Sequence, residues 1–78
     1  MEFAELQALL ASVFRARGRV FTRQTTAADV PGWDSLRHVT LIMEINAATG
    51  LDLSPEDTQA LPDVGALFDA IQSGLAAS

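Results

Sequence analysis

The sequence predicts a small all-α fold: a four-helix bundle with three longer helices, one short helix and a long first loop. Apolar residues recur at spacings of three and four in three stretches of the 78-residue chain. Residues typical of helix stops and starts separate these stretches. No segment with a period of two is long enough to argue for a sheet. We therefore expect one domain, residues 1–78, with a single core.

The first helix is predicted from about residue 2 to 17. Its apolar positions keep the helical period, and its acidic start and basic end, with Arg15 and Arg17 in the last turn, suit the helix dipole. Gly18 is the expected stop. The apolar stripe consists of Phe3, Leu6, Leu10, Val13 and Phe14.

A long irregular connection is expected from Arg19 to Asp34, where turn and capping residues replace the helical period. Val30-Pro31-Gly32-Trp33 fits a type II turn, because Pro presets φ at the second position and Gly accepts a positive φ at the third. The large apolar side chains of this segment are the expected anchors of the loop: Val20, Phe21, Val30 and Trp33.

The second helix is predicted over residues 35–49, with Asp34 as its N-cap and Gly50 at its end. Its apolar arc is wide, which indicates a central helix packed by more than one neighbour. Ser54-Pro55-Glu56-Asp57 predicts a short third helix to about Leu61, since Pro suits the first helical position and acids suit the first turn. Beyond Pro62, Asp63 caps a last amphipathic helix that runs to about Leu75.

Composition narrows the classes of function. Five basic residues against ten acids make the net charge −5, which argues against nucleic acid as a partner. The absence of Cys excludes disulfides, thiolate nucleophiles and Cys-based zinc sites. The acidic start and the lack of a long apolar run predict a soluble cytoplasmic protein with no membrane partner. No metal site is expected, and we expect a monomer.

The negative charge is concentrated in residues 29–78, where eight acids face Arg37 alone. This distribution predicts a negative surface around the second and third helices that attracts basic partners, with Glu44, Glu56 and Asp57 as its members. The alternative is that these acids only cap helices and face solvent, and the sequence leaves both interpretations open.

A minimal serine hydrolase would combine Ser35 with the chain's one histidine, His38, and an Asp. This interpretation is weak, because such a nucleophile usually stands on a tight turn beside an oxyanion hole, with its histidine supplied from elsewhere in a larger fold. The favoured interpretation of His38 is a surface or boundary residue without a chemical role.

Gly32-Trp33-Asp34-Ser35-Leu36, followed by His38-Val39-Thr40-Leu41-Ile42 and by Gly50-Leu51-Asp52-Leu53, resembles the acyl carrier protein family of fatty acid and polyketide synthesis. The resemblance extends over nearly the whole helix pattern. It implies that Ser35 carries 4′-phosphopantetheine, attached from coenzyme A by a phosphopantetheinyl transferase, and that acyl cargo rides on this arm as a thioester. The chain is then a carrier with no catalytic activity of its own.

The neighbours of Ser35 have expected roles, of which transferase recognition of Asp34 and the partner contact of Leu36 are implied by the same resemblance. Asp34 is expected to cap the helix and to be recognised by the transferase. Leu36 resembles the family residue that packs at the partner contact, with burial in the core as the alternative. Arg37 is expected to soften the repulsion between Asp34 and the phosphate.

The chain also departs from the family pattern. Asn46-Ala47-Ala48-Thr49 stands where the family often has a run of acids, which points to a specialised fatty acid, polyketide or secondary-metabolite carrier with its own partners. Trp33 and Arg37 point the same way, so we count both among the partner-binding residues. Besides the transferase, the expected partners are acyl-transferring or ketosynthase-type enzymes. A peptidyl or aminoacyl carrier and an unmodified helical interaction module remain alternatives.

The interior of the predicted bundle allows two arrangements. Apolar residues of the last three helices could line a cleft that shelters the acyl chain, with Met43 as its most adaptable member. The alternative is a closed, dry core, which we favour in the absence of cargo. The residues in question are Leu41, Ile42, Met43, Ile45, Leu61, Phe68 and Ile71.

Overall fold

A computed structural model describes residues 1–16 and 18–77 of the chain. Within these residues the protein is all-helical and contains no strand. The elements are α1 (Phe3–Val13), α2 (Ser35–Thr49), α3 (Pro55–Gln59) and α4 (Val64–Ala77), with a 3₁₀ turn at Ala27–Asp29 in the first loop. The predicted bundle of three longer helices and one short helix is confirmed.

Helix α1 ends earlier than predicted, and Gly18 does not stop it. Phe14 is the C-cap and Arg15 adopts a left-handed φ of 51°. The N–H of Ala16 then donates to the carbonyl of Ala11 at 2.9 Å, and that of Arg15 to Ser12 at 3.4 Å, which is the Schellman arrangement. An arginine therefore occupies the position where glycine is usual. Arg17, which we placed in the last turn, lies outside the described residues.

The first loop is anchored by fewer side chains than expected. Phe21 and Val30 are buried and Trp33 is half-buried, but Val20 is 77% exposed, so its predicted anchoring role is wrong. The turn before Trp33 has the expected features: Gly32 has a φ of 85°, and the N–H of Trp33 donates to the Val30 carbonyl at 3.2 Å.

Backbone hydrogen bonds fasten this loop to the start of α4. The N–H of Val64 donates to the carbonyl of Thr25, and that of Gly65 to the carbonyl of Arg23, both at 2.8 Å. These donors belong to the first turn of α4, where no intrahelical acceptor exists. The loop therefore serves as a cap for α4 as well as the connection into α2.

Asn46 holds the link between α2 and α3. Its side-chain amide donates to the Leu53 carbonyl at 3.1 Å, and its side-chain oxygen accepts from the Leu53 N–H at 2.9 Å. Gly50, with a φ of 77°, ends α2 as predicted. Asn46, which stands where the resembled family often has acids, thus has a structural role here.

The core lies between all the longer helices and the first loop. α1 and α4 also meet through an edge-to-face contact of Phe3 and Phe68, with ring centroids 5.2 Å apart. The core residues are Leu6, Leu10, Phe14, Phe21, Val30, Leu41, Ile42, Ile45, Val64, Leu67 and Ile71. In the described part of the chain, no helix has the length and apolar character needed to cross a membrane.

Candidate functional site

Ser35 is the first residue of α2 and its side chain is exposed. The preceding Asp34 caps the helix, with its side-chain oxygen accepting from the Arg37 N–H at 2.8 Å. The backbone carbonyl of Asp34 accepts from the His38 N–H at 2.9 Å. The cap holds the first turn, so the Ser35 hydroxyl is presented from a defined position at a helix N-terminus, where an anion is favoured.

His38 is buried, with 4% of its surface exposed, so the prediction of a surface or boundary residue is wrong. The indole N–H of Trp33 donates to His38 Nδ1 at 3.1 Å. His38 Nε2 lies 2.7 Å from the Thr58 hydroxyl oxygen. The Thr58 hydroxyl in turn donates to two carbonyls at the start of α3: that of the N-cap Ser54 at 3.1 Å and that of Pro55 at 3.2 Å.

These contacts determine the tautomer of His38. Trp33 Nε1 is only a donor, so Nδ1 of His38 must accept and carries no proton. The neutral ring then has its proton on Nε2, which donates to Thr58. Burial lowers the pKa of His38, and the Pro55 carbonyl beside the ring acts in the opposite direction. We call this series of hydrogen bonds, formed by Trp33, His38 and Thr58, the polar chain.

The polar chain removes the basis of the hydrolase interpretation. Both ring nitrogens of His38 are used by Trp33 and Thr58, and among the described residues no hydrogen bond joins His38 to Ser35. A general base must reach the proton that it removes. In the described part of the chain, no group of three or more His, Asp or Glu residues is arranged to hold a metal ion.

A hollow of about 320 Å³ opens beside Ser35. Its walls come from the first loop, the start of α2, the end of α3, the segment that joins α3 to α4, and the start of α4. We call it the Ser35 hollow; its principal lining residues are Trp33, Ser35, His38, Gln59, Leu61 and Leu67. A volume of this size is at the lower end of the range for small-molecule sites.

Helix α2 has two apolar faces, of which only one is buried. At 3.6 residues per turn, His38, Leu41, Ile42 and Ile45 share the buried face. The opposite face exposes Leu36, Val39 and Met43, with 75% of Leu36 and 64% of Met43 open to solvent. Burial of Leu36 in the core and the assignment of Met43 to an interior cleft are both wrong. The sequence contains the helical spacing of this second stripe, but that spacing does not say which of the two faces is covered.

The remaining predicted site residues take up separate positions. The Arg37 guanidinium donates to the Val13 carbonyl at the end of α1, at 2.8 Å, so the contact that the structure gives it is with that helix end. Trp33 stacks on Phe14 with ring centroids 4.7 Å apart. The acids that we predicted for partner binding, Glu44, Glu56 and Asp57, are all exposed.

Comparison with solved structures identifies the family. The chain is similar to the solution NMR structure of the holo acyl carrier protein from Geobacter metallireducens, at 32% identity and a TM-score of 0.85, over 95% of this chain and 85% of that one. This chain belongs to the acyl carrier protein family. Neither a scan against protein-family models nor a search of curated proteins found a match.

Membership of the acyl carrier protein family confirms two predictions. The chain has a carrier role, and it is not an enzyme, because the fold serves to carry groups to the enzymes that act on them. The buried histidine and its partners are what sequence reasoning missed. The periodicity of the sequence does not reveal that His38 is buried, because its position on the helix is the same whether the side chain is buried or exposed.

Proposed function

We propose that this acyl carrier protein bears 4′-phosphopantetheine on the Ser35 oxygen and presents acyl groups to the enzymes of a specialised fatty acid, polyketide or secondary-metabolite pathway. The observation that carries the proposal is the exposed Ser35 hydroxyl at the first position of α2. It stands inside Asp34-Ser35-Leu36, in a chain whose relative was solved in its holo form.

The residues around Ser35 fit such a group. The hydroxyl faces solvent, so a modifying enzyme can reach it, and the N-terminal end of the 15-residue α2 favours the charge of a phosphodiester. The hollow beside it leaves room for part of the arm. Asp34 adds a like charge, but one of its carboxylate oxygens accepts from the Arg37 N–H, which ties it to the helix cap. That the Arg37 side chain reduces the repulsion between Asp34 and the phosphate remains a prediction.

The attachment itself requires little of the carrier. The Ser35 oxygen forms a bond to phosphorus as the pyrophosphate bond of coenzyme A breaks, adenosine 3′,5′-bisphosphate leaves, and the serine proton passes to the transferase. When bound, the arm supplies a terminal thiol that holds acyl groups as thioesters. This accounts for thioester chemistry in a chain without Cys. Ser35 only has to be accessible and held in place, and the Asp34 cap provides the second condition.

Two exposed features support a partner surface next to Ser35. The stripe of Leu36, Val39 and Met43 begins at the residue after Ser35 and runs along the open face of α2. Exposed apolar side chains with a polar rim are typical of protein contacts. The exposed acids Glu44 and Glu56 supply negative charge on α2 and α3, which attracts basic enzymes. We propose that the transferase and acyl-transferring or ketosynthase-type enzymes use this surface on a monomeric carrier in the cytoplasm.

The test is a loading reaction followed by intact-mass measurement. The protein is incubated with coenzyme A, Mg²⁺ and a promiscuous phosphopantetheinyl transferase. Wild type should gain the mass of one phosphopantetheine and Ser35→Ala should gain none. Ser54→Ala is the matched control, since it removes a hydroxyl at the start of another helix, and it should load like wild type.

The other outcomes identify the alternatives. A folded wild type that gains no mass overturns the proposal and favours an unmodified interaction module. If the protein is loaded efficiently but its arm then accepts only aminoacyl groups, it is an aminoacyl or peptidyl carrier, and the proposed pathway is wrong.

A further inference from the structure

The Ser35 hollow and the apolar core are separate spaces. The hollow is open to solvent, and its lining includes Leu67 and His38, both of which are buried. Leu67 belongs to the same hydrophobic core as Ile42, Ile45 and Ile71, each of which has an exposed fraction of zero. That value leaves no space of the size of a water molecule against these side chains. A group tethered at Ser35 therefore meets the hollow first and finds the core filled.

Along α2, the polar chain contributes the residue that stands between the hollow and the core, His38. His38 is about one turn after Ser35 on α2 and about one turn before Ile42, on the same buried face. It is held on one side by Trp33 and on the other by Thr58 of α3. Spreading α2 from α3 to admit a chain would break the bond of 2.7 Å between His38 and Thr58.

An alkyl chain cannot compensate for that break. It would separate the His38 ring from the Thr58 hydroxyl in an apolar passage, and methylene groups offer no hydrogen bonds in exchange. Unpaired polar groups in such surroundings are strongly unfavourable. The polar chain thus acts against long saturated cargo, whereas cargo that stays in the hollow leaves every one of these bonds in place.

The walls of the hollow indicate what suits it. Trp33 offers an aromatic surface, and Leu61 and Pro62 add apolar contact. Gln59 contributes an exposed amide that can bond to a hydroxyl or carbonyl group. Asp63 and Asp34 border the same space, and their carboxylates disfavour anionic groups.

We infer that acyl cargo carried on Ser35 rests in the Ser35 hollow, and that the polar chain confines it there, so that this carrier suits short aromatic or hydroxylated acyl groups rather than long alkyl chains. The inference rests on the proposed attachment at Ser35. It assigns a specificity role to Trp33, His38 and Thr58 that the attachment alone does not require.

The test measures how well each cargo is sheltered. Benzoyl, 3-hydroxybutyryl and octanoyl groups are loaded from the corresponding acyl coenzyme A, and cleavage by hydroxylamine is timed by intact mass. Each rate is divided by that of the same acyl group on free coenzyme A, which removes differences in intrinsic reactivity. A group sheltered for two thirds of the time is cleaved about threefold more slowly. We expect at least that protection for benzoyl and 3-hydroxybutyryl, and none for octanoyl.

Variants test whether the polar chain causes the expected difference in protection between octanoyl and the other two acyl groups. Thr58→Val removes the hydroxyl with little change of shape, and octanoyl should then become protected. Thr40→Val is the matched control, because Thr40 is an exposed threonine of α2 whose hydroxyl donates to the Leu36 carbonyl of its own helix. It should behave like wild type. Gln59→Ala should reduce the protection of 3-hydroxybutyryl more than that of benzoyl.

Two results would overturn the inference while leaving the attachment intact: octanoyl protected in wild type as well as benzoyl, or a folded Thr58→Val that protects octanoyl no better than wild type does. If Thr58→Val does not fold, wild type is loaded with alkyl chains of increasing length and its melting temperature is measured. A steady rise with chain length means that the chains enter the core and overturns the inference, whereas a constant melting temperature supports it. A failure of the proposed function is recognised separately, because no acyl group is then attached at all.

Discussion

The indole N–H of Trp33 donates to Nδ1 of His38 across 3.1 Å, which joins the end of the first loop to the buried face of α2. Through the other ring nitrogen the same histidine reaches Thr58 of α3. The short stretch from Trp33 to His38 is therefore joined to α3, twenty residues after His38, directly beside the proposed attachment residue. The first two predictions concern this arrangement.

Trp33→Phe should lower the free energy of unfolding by about 1 to 3 kcal/mol, because it leaves a buried acceptor on His38 without a donor. Phenylalanine keeps an aromatic ring that can stack on Phe14, so the loss reports mainly on the N–H. Urea unfolding followed by far-UV circular dichroism measures it. In a His38→Leu background the same substitution should cost less, and an equal loss in both backgrounds would contradict a direct bond.

The free energy of unfolding should depend on pH through His38. Burial places the pKa of His38 in the folded protein below that of the unfolded chain, so the unfolded chain binds more protons as pH falls. The contribution is fully present above the ordinary histidine pKa of about 6.5 and is lost as pH decreases from there towards the folded-state value.

The sequence has one histidine, so a His38→Leu variant provides the control for this pH dependence. Urea unfolding between about pH 7.5 and pH 5.5 should show a decline for wild type and a much flatter profile for the variant. Greater stability of wild type at the acidic end would show that the ring is charged in the folded state.

Gly65→Ala should destabilise the protein by about 1 to 3 kcal/mol through overpacking. An added Cβ would lie 2.9 Å from the Arg23 carbonyl oxygen, which the Gly65 N–H itself binds at 2.8 Å. Gly74→Ala in the same helix is the control, because its Cβ would meet only the flexible end of Leu51, at 3.1 Å. Its effect should stay within about 1 kcal/mol in either direction. Thermal unfolding of both variants measures the difference between them. Equal effects would mean that the first loop shifts to accommodate the added Cβ of Gly65→Ala.

Arg15→Gly should raise the free energy of unfolding by about 0.5 to 1 kcal/mol, since the left-handed backbone at φ 51° is strained for arginine and not for glycine. Arg15→Ala keeps the strain and removes only the exposed side chain, so it should have little effect. If both variants behave alike in urea unfolding, the end of α1 is not held in the left-handed conformation.

Charge reversal at Glu44 or Glu56 should slow loading by the transferase several-fold at low ionic strength and less at high ionic strength. Both acids are exposed, and salt screens a steering interaction of this kind. The initial rate of mass gain at the two salt concentrations is the measurement. Asp69→Lys on α4 is the control, because it changes charge equally and breaks only an exposed ion pair with Arg23. An equal loss at both concentrations would argue against the acidic surface.

Local patterns predicted the helices well wherever their boundary signals are local. The start of α2 at Asp34, its end at Gly50 and the turn at Gly32 each depend on what one residue does to its own backbone. The predicted end of α1 was wrong because its boundary depends on contacts with distant residues. Arg15 has no intrinsic preference for a left-handed φ, and the contacts that surround this end, Phe14 on Trp33 and Val13 with Arg37, come from distant residues.

The amino-acid sequence by itself determined the helical architecture, the acidic character of the chain and the Asp34-Ser35-Leu36 motif, because periodicity, charge and a family motif are properties of the chain order. Tertiary structure alone decided which apolar face of α2 is covered and where His38 points. Both outcomes depend on which segments pack against α2. The open stripe of Leu36 and Met43 and the buried bonds of His38 therefore became visible only once α3 and the first loop were in place.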